Sequence, residues 1–314
     1  MEKVIVLLGP TGVGKTAASL LLAKTLDTEI VSADSMQIYR HMDIGTAKPS
    51  DEERRQIKHH MIDVVEPWEA FSTGEYIKQV RPALDALLGR GKGPLIVGGT
   101  GLYVKAMTRG IFTGPSADWE LRSDLLREEE ASPGFLYERL KSLDASAAAK
   151  IMPADTRRIV RALEVCMKSS NTISALHKTL TNPLPYEFIK VGLTRDRKEL
   201  YRMIDQRVDA MVKKGLVEEV KRVLGLIAAS APPGLRAAEL SSMQAIGYKE
   251  IAAYLAGETG LEDALALVKQ RSRNYAKRQF TWFRKEEGIR WVDVTGIHDP
   301  GGIFQKVREV IQIG

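Results

Sequence analysis

Short apolar runs alternate with amphipathic segments along the first third of the chain. The apolar runs cover residues 4–8, 29–32 and 95–97, and helical patterns cover residues 15–26 and 72–88. Brief apolar runs separated by helices are typical of a parallel sheet with helices packed on its faces. The pattern therefore predicts an α/β core.

Strand patterns disappear between residues 115 and 185, where four charged, alanine-rich helical segments follow one another. They cover residues 119–130, 134–143, 145–151 and 155–168. We interpret residues 115–185 as an all-helical insertion domain, which divides the core into residues 1–114 and 186–314. In the second part of the core we predict a strand at 188–193, one long helix at 198–224, a loop at 228–234 and a strand at 290–294.

The composition is that of a globular protein, with 314 residues and 44% apolar side chains. One cysteine, Cys166, excludes an intrachain disulfide and a cysteine-based zinc site, and its apolar surroundings predict a small core residue. The first residues show no secretory pattern, and no run approaches the roughly 18 apolar residues of a membrane span. We expect a cytoplasmic protein.

A phosphate-binding loop motif follows the first predicted strand. Its GxxxxGK[ST] pattern consists of Gly9, Pro10, Thr11, Gly12, Val13, Gly14, Lys15 and Thr16. In such loops the backbone N–H groups surround phosphate oxygens, the lysine adds a charge and the hydroxyl can bind Mg²⁺. The motif predicts a P-loop NTPase-like core that holds a diphosphate or triphosphate, without identifying the phosphate ester.

Two further strand ends carry candidate chemistry. Asp34 and Ser35 follow the second strand, at the sheet edge where ligands bind. Asp34 could bind Mg²⁺ through water, act as a general base, or cap the next turn. The strand at 95–97 ends in Gly98-Gly99-Thr100-Gly101 rather than in the aspartate expected of a nucleotide hydrolase. These glycines indicate either close approach of a ligand or backbone, or a tight turn.

Arg207 falls within the apolar arc of its predicted helix. A guanidinium on that side needs an anion, which could be a diphosphate oxygen or a core carboxylate, unless the side chain extends to solvent. His59 and His60 are adjacent, so their side chains point apart, and we interpret them as non-metal residues.

The excess positive charge is concentrated near the C-terminus. The chain carries a net charge of +6, and residues 264–285 contain seven basic residues and no acidic one. Lys269, Arg273 and Lys277 recur every four residues and form a ridge suited to a phosphate backbone. The alternative is a solvated face whose aromatic neighbours lie in the core.

Four segments together resemble the tRNA dimethylallyltransferases along nearly the whole chain. They are GPTGVGKT at residue 9, ADSMQIYRHMDIGTAKP at 33–49, LIVGGTGLY at 95–103 and AKRQFTWFRK at 276–285. The DSMQIYR and DIGTAKP strings are far more specific than the phosphate loop. The resemblance implies transfer of a dimethylallyl group from dimethylallyl diphosphate to N6 of adenosine 37, beside the tRNA anticodon, with Mg²⁺.

The resemblance also implies roles for individual residues. The phosphate loop would bind the diphosphate leaving group, with Lys15, Thr16 with its Mg²⁺, and Arg207 neutralising its charge, and Asp34 would be the base. The residues that match tRNA contacts are Asp34, Ser35, Met36, Gln37, Thr100, Arg122, Arg157, Arg158, Ile159, Val160, Arg161, Gln244, Gly247, Tyr248, Lys249, Lys277, Arg278, Gln279 and Arg284. Three cations between residues 157 and 161 exceed what a purely structural insertion would need.

Eukaryotic relatives carry a C-terminal zinc-finger extension, whereas this sequence resembles the bacterial form, so zinc is not expected. We expect a monomer, because tRNA offers one asymmetric site. Two other functions fit the phosphate loop: a P-loop kinase of a nucleoside or small metabolite, and an RNA-binding module that uses nucleotide as a switch. The kinase would consume ATP and would leave the basic ridge unexplained.

Overall fold

The structure is a computed structural model that describes residues 2–112, 114–115, 117–169, 171–179 and 181–311. It consists of two compact units: Met1–Lys105 together with Pro185–Gly314, and Ala106–Leu184. We call the first the sheet unit and the second the helical unit. The strands are β1 (Lys3–Leu8), β2 (Ile30–Ala33), β3 (His59–His60), β4 (Leu95–Gly98), β5 (Ile111–Phe112), β6 (Thr181–Asn182), β7 (Glu187–Thr194) and β8 (Ile289–Asp293).

Helices account for most of the remaining chain. They are α1 (Lys15–Thr25), α2 (Asp51–Gln56), α3 (Thr73–Leu88), α4 (Gly101–Arg109), α5 (Trp119–Ala131), α6 (Phe135–Leu143), α7 (Ala145–Ala148), α8 (Thr156–Lys168), α9 (Ile173–Thr179), α10 (Arg197–Lys213), α11 (Leu216–Ser230), α12 (Tyr248–Leu255), α13 (Leu261–Phe283) and α14 (Pro300–Ile311). Of these helices, none has both the length and the apolar character needed to cross a membrane.

Six strands of the sheet unit form one parallel sheet in the order β3-β2-β4-β1-β7-β8. This confirms the predicted parallel α/β core. Gly98 at the end of β4 lies in register with Leu8 on β1 and with Ala33 on β2. The segments that follow β1, β2 and β4 therefore begin side by side at one edge of the sheet.

The faces of the sheet are covered, as a fully parallel sheet requires. Leu7 of β1 belongs to a buried cluster with Leu22 of α1 and with Ile303 and Val307 of α14. A second cluster joins the segment after β2 to α11 and α12 through Tyr39, Met42, Leu216, Val220 and Tyr248. This second cluster fixes the path of the chain between β2 and β3.

The prediction of one long helix at 198–224 is wrong, because two helices, α10 and α11, occupy this region. α10 ends at Lys213, and Gly215 has a φ of 95° before α11 begins at Leu216. Gly215 donates its N–H to the carbonyl oxygen of Val212, which closes the last turn of α10. Apolar residues continue at helical spacing on both sides of the break, so periodicity alone does not reveal it. α11 also extends to Ser230, into the predicted loop.

Helices α5 to α9 form the helical unit around a buried cluster that includes Leu136, Leu140 and Leu163. The strands β5 and β6 add a short antiparallel ladder, with Ile111 opposite Asn182, which the sequence analysis did not predict. Cys166 on α8 is half-buried rather than a core residue.

Gly215 and Gly225 provide a matched test of the break between α10 and α11. Gly215→Ala forces a side chain into the left-handed region and is expected to cost about 1–2 kcal/mol of stability. Gly225 lies inside α11, and a Cβ there meets no atom within 4 Å. Gly225→Ala is therefore expected to gain about 0.5–1 kcal/mol. Urea unfolding measures both values, and equal signs for the two variants would contradict the observed break.

Candidate active site

The phosphate loop runs from the end of β1 to the start of α1. Gly12 and Gly14 have φ values of 79° and 108°, in the region that favours glycine. A Cβ on Gly14 would lie 2.7 Å from Cδ1 of Ile303. The loop therefore needs these glycines both for its curvature and for its packing.

Lys15 and Arg207 are two half-buried cations at this loop. The Lys15 ammonium donates to the carbonyl oxygens of Gly9 at 2.9 Å and Pro10 at 2.8 Å. Arg207 on α10 donates to the hydroxyl of Thr11 at 3.3 Å. Within the residues that the structure describes, neither cation forms an ion pair with a carboxylate.

The pKa values of both cations are lowered. Burial, and then the charge of Arg207, lower the pKa of Lys15 from 10.5 to about 7, although Asp34 opposes the shift. Burial likewise lowers the pKa of Arg207, and Asp34 opposes that shift too. Two half-buried cations without a carboxylate partner would be stabilised by an anion such as a phosphate group.

Asp34 begins the turn that follows β2. Its Oδ1 accepts the backbone N–H of Met36 at 2.9 Å and that of Gln37 at 3.4 Å. One carboxylate oxygen therefore caps the turn, which was one of the roles considered for this residue. The other oxygen, Oδ2, accepts no hydrogen bond from the part of the chain that the structure describes.

The glycines after β4 allow close approach of the protein itself. A Cβ on Gly98 would lie 2.2 Å from the carbonyl oxygen of Ala33. Two residues after Gly98, Thr100 donates its backbone N–H to the carbonyl of Ala33 at 3.1 Å. The hydroxyl of Thr100 accepts the N–H of Ser35 at 2.9 Å. Thr100 thus connects the ends of β2 and β4 and holds the turn that carries Asp34.

Gln279 of α13 holds the phosphate loop. Its Oε1 accepts the N–H of Thr11 at 2.8 Å, and its Nε2 donates to the carbonyl of Gly99 at 2.9 Å. The residue is 5% exposed and lines the cavity, so its side chain holds the loop from inside the protein, and its contact with tRNA stays a prediction. The buried Ala276 and Phe283, at helical spacing from Gln279, are the sequence signal that could have indicated this.

These groups surround one cavity of about 330 Å³ in the sheet unit. Its polar lining includes Thr11, Lys15, Thr16, Asp34, Gln37 and Arg207, and its apolar lining includes Met36, Val97, Ile204, Val208, Met211, Leu216 and Val268. A cavity with a cationic site and apolar walls suits a ligand that carries both phosphate and hydrocarbon.

Other residues predicted to contact tRNA lie at the same cavity or beneath its wall. Ser35, Gln244, Gly247 and Arg278 line it. Tyr248 is fully buried, and its hydroxyl donates to Glu219 at 2.5 Å, so its side chain has an internal role. Lys249 is exposed and donates to Gln244 at 3.2 Å.

The basic ridge predicted on α13 needs correction. Lys269 pairs with Asp209 and Arg273 pairs with Asp205, each at 2.6 Å, so both cations are neutralised by α10. Sequence spacing along one helix cannot reveal partners on another. Lys277, Arg278 and Arg284 are exposed, and the guanidinium of Arg278 lies 5.7 Å from the ring centroid of Tyr275.

In the helical unit the predicted cations also divide into two groups. Arg122 and Arg161 both pair with the buried Glu164, and Arg161 also donates to the carbonyl of Pro115, so these arginines do contribute to the structure of the unit. Ile159 and Val160 are buried, and their side chains lie in the core of the unit. Arg157 and Arg158 are exposed.

The histidines have structural contacts. His60 bonds to Glu29 through Nε2 at 2.6 Å, and His59 bonds to the carbonyl of Ile57 through Nδ1 at 2.7 Å. Over the described ranges, no group of three histidine, cysteine or acidic side chains is placed to hold a metal ion.

The parallel sheet, the phosphate loop and the two cations beside a strand-end aspartate define a P-loop protein whose loop borders a cavity with apolar walls. The sequence model of the family IPPT, IPP transferase, matches residues 37–286. The chain therefore belongs to the IPP transferase family.

Individual relatives cover the chain from end to end. It is 56% identical over 310 residues to the tRNA dimethylallyltransferase of Thermodesulfovibrio yellowstonii, covering 99% of this chain and 96% of that protein. It also resembles the crystal structure of the tRNA isopentenylpyrophosphate transferase of Bacillus halodurans, with a TM-score of 0.68, 39% identity and 99% coverage of both chains. A eukaryotic dimethylallyltransferase acting on tRNA has a TM-score of 0.80 and 30% identity, covering 95% of this chain and 75% of that one.

The pKa of Lys15 makes diphosphate binding depend on pH. A bound diphosphate raises the pKa of about 7 found in the free protein. Binding therefore takes up a proton at Lys15 above pH 7. The contribution of Lys15 to affinity is fully present below pH 7 and is lost as the pH rises above it. Calorimetric titration with inorganic diphosphate at pH 8, in two buffers of different ionisation enthalpy, should show proton uptake approaching one. Lys15→Arg keeps its charge and should lose that uptake; the same uptake in both proteins would exclude Lys15 as its source.

Proposed function

We propose that this protein transfers a dimethylallyl group from dimethylallyl diphosphate to N6 of adenosine 37 in the tRNA anticodon loop and releases diphosphate. The observation that carries the proposal is the pair of half-buried cations, Lys15 and Arg207, without a carboxylate partner among the described residues, in one cavity with Asp34. Membership of the IPP transferase family supports a prenyl donor rather than ATP.

The phosphate loop and the two cations act on the leaving group. As the allylic C–O bond breaks, negative charge grows on the diphosphate oxygens. Lys15 and Arg207 lie at the loop and can stabilise that charge, with Lys15 exchanging its bonds to the Gly9 and Pro10 carbonyls for phosphate oxygens. Because both cations are half-buried, their interaction with the leaving group is less screened than it would be in water.

The donor set of the cavity fits Mg²⁺. Thr16 contributes a hydroxyl oxygen beside the phosphate site, and Asp34 lines the same cavity. Mg²⁺ prefers oxygen ligands and is usually held by one or two protein groups together with substrate phosphates and water. When bound, the ion would neutralise charge on the diphosphate, with Thr16 as its protein ligand.

Asp34 is the base in this proposal. The N6 amine is a weak nucleophile, because its lone pair is delocalised into the purine ring. As the new C–N bond forms and the C–O bond breaks, the carboxylate of Asp34 accepts the N6 proton, and the electron pair leaves with diphosphate. Its Oδ1 is held by the N–H of Met36, which leaves Oδ2 for this transfer.

The acceptor base must leave its stack to reach the cavity, since the reacting groups lie below the protein surface. We assign the exposed cations Lys277, Arg278 and Arg284 to the tRNA backbone, together with Arg157 and Arg158 of the helical unit. The predicted domain 115–185 is then a tRNA-contacting domain. One asymmetric tRNA needs one protein copy, and we propose a cytoplasmic monomer.

A labelled-donor assay tests the reaction and the role of Asp34. Unmodified tRNA, labelled dimethylallyl diphosphate and Mg²⁺ are incubated with the protein, beside an ATP-consumption assay. We expect label on N6 of adenosine 37 without loss of ATP. Asp34→Asn should lower kcat by about 10² to 10⁴. The same variant should bind inorganic diphosphate at least as tightly, because a negative charge near the phosphates is removed.

Other results of this assay have defined meanings. ATP consumption without labelled RNA would assign the protein to the P-loop kinases. Equal loss of transfer and of diphosphate binding in Asp34→Asn would show that Asp34 shapes the site and is not the base.

Paired and exposed cations of α13 offer a matched test of tRNA binding. The double variant Lys277→Ala/Arg278→Ala should weaken tRNA binding and flatten the slope of log Kd against log salt by about 1.5. Lys269→Ala/Arg273→Ala removes the same charge but from cations already paired with Asp209 and Asp205, so its slope should change little. Equal slopes for the two double variants would contradict phosphate contacts by Lys277 and Arg278.

A further inference from the structure

Glu219 is a buried carboxylate that the proposed mechanism does not use. The residue lies on α11 and is 1% exposed. Its Oε2 accepts the backbone N–H groups of Asp43 at 3.0 Å and Ile44 at 2.8 Å, and its Oε1 accepts that of Gly45 at 3.0 Å. The hydroxyl of Tyr248 donates to Oε1 at 2.5 Å. Four donors thus converge on one carboxylate, and three of them belong to a single segment of backbone.

The backbone segment that Glu219 holds, residues 43–49, is constrained from a second side. Lys48 has a side chain that is 1% exposed, and its ammonium bonds to the Tyr39 carbonyl at 2.6 Å and to Asp43 at 2.9 Å. Ala47 has a φ of 49°, which is costly for a residue with a side chain. A backbone held in an unfavourable conformation by buried charges is typical of a functional site.

The same segment forms part of the cavity wall. Gly45, Thr46, Ala47 and Pro49 line the cavity that also contains Asp34. Gln37 links the two, since its Nε2 donates to the carbonyls of Thr46 at 3.4 Å and Ala47 at 3.3 Å. The backbone N–H of Gln37 in turn donates to Asp34 at 3.4 Å. A shift of segment 43–49 is therefore transmitted to the turn that carries the base.

The phosphate side of the cavity is held by different contacts. Gln279 links the loop at Thr11 to Gly99, and Lys15 bonds to the loop carbonyls. In the described part of the chain, no hydrogen bond joins residues 9–16 to residues 43–49. A disturbance at Glu219 should therefore reach the acceptor side of the cavity and spare the diphosphate side.

We propose that Glu219 is a positioning residue that holds segment 43–49 and, through Gln37, fixes the acceptor adenine against Asp34. The inference rests on the proposed function, because the acceptor is the adenine of that reaction. Tyr248 has the same role to a lesser degree, as it supplies one of four donors and its ring fills the space beside Gly45. A Cβ on Gly45 would lie 2.4 Å from that ring.

Glu219→Gln tests this role, because it removes the charge and one acceptor oxygen but keeps the shape of the side chain. We expect kcat/KM for tRNA to fall on the order of ten- to a hundredfold, with Kd for inorganic diphosphate within about twofold of wild type. The matched control is Glu199→Gln. Glu199 is 8% exposed, accepts the N–H of Gly296 at 3.0 Å and pairs with Arg195, outside the cavity. The Glu199→Gln variant should be less stable than wild type but retain kcat/KM for tRNA.

Tyr248→Phe is the second variant, in case Glu219→Gln does not fold. It keeps the ring that packs under Gly45 and removes one hydrogen bond, and we expect kcat/KM for tRNA to fall about three- to tenfold, again without change in diphosphate binding. Wild-type kcat/KM in both variants would overturn the inference, as would a parallel loss of diphosphate affinity or an equal loss in Glu199→Gln. Absence of transfer by the wild-type protein would instead overturn the proposed function.

Discussion

The site depends on two half-buried cations that line one cavity and form no ion pair with a carboxylate of the described residues. Lys15 and Arg207 come from opposite parts of the chain, and the cost of burying both lowers the pKa of each. A carboxylate partner would offset the cost of burying each cation. Elsewhere this chain has such a pair, between Arg195 and Glu199. An unpaired cation pair stores unfavourable free energy that a phosphate ligand relieves on binding. The neighbouring strands and helices place these two cations in one cavity.

The parallel sheet provides the placement. Because Gly98 lies in register with Leu8 and Ala33, the segments after β1, β2 and β4 start at one edge. Hydrogen bonds then fix these segments to one another. Thr100 joins the segment after β4 to the segment after β2, and Gln279 joins the segment after β1 to the segment after β4. Glycine at 98 and 99 is required there because other residues would collide with Ala33 and Gln279. The carboxylate of Asp34 and the cations thereby share one cavity.

By contrast, Glu219 and Lys48, the buried charges that hold segment 43–49, each have several hydrogen-bond partners. Glu219 accepts four hydrogen bonds, and Lys48 donates to a carbonyl and to two aspartates. Satisfied buried charges fix a conformation, whereas unsatisfied ones attract a ligand. The cavity thus has cations without a carboxylate partner among the described residues at the phosphate loop, and fully hydrogen-bonded charges behind segment 43–49.

Local features of the sequence determined much of this protein. The strands β1, β2, β4, β7 and β8, the phosphate loop and the position of Asp34 at a strand end follow from apolar runs and from a motif, because both depend on neighbouring residues. Only the tertiary structure decided which cations of α13 pair with acidic residues. Lys269 and Arg273 pair with Asp209 and Asp205 of α10, which are distant in the sequence, and Gln279 points inward to hold a loop near the start of the chain. The break at Gly215 is likewise invisible to periodicity. Ion pairs and close approaches between distant segments have no signal in local spacing, because the folded backbone alone brings those atoms together.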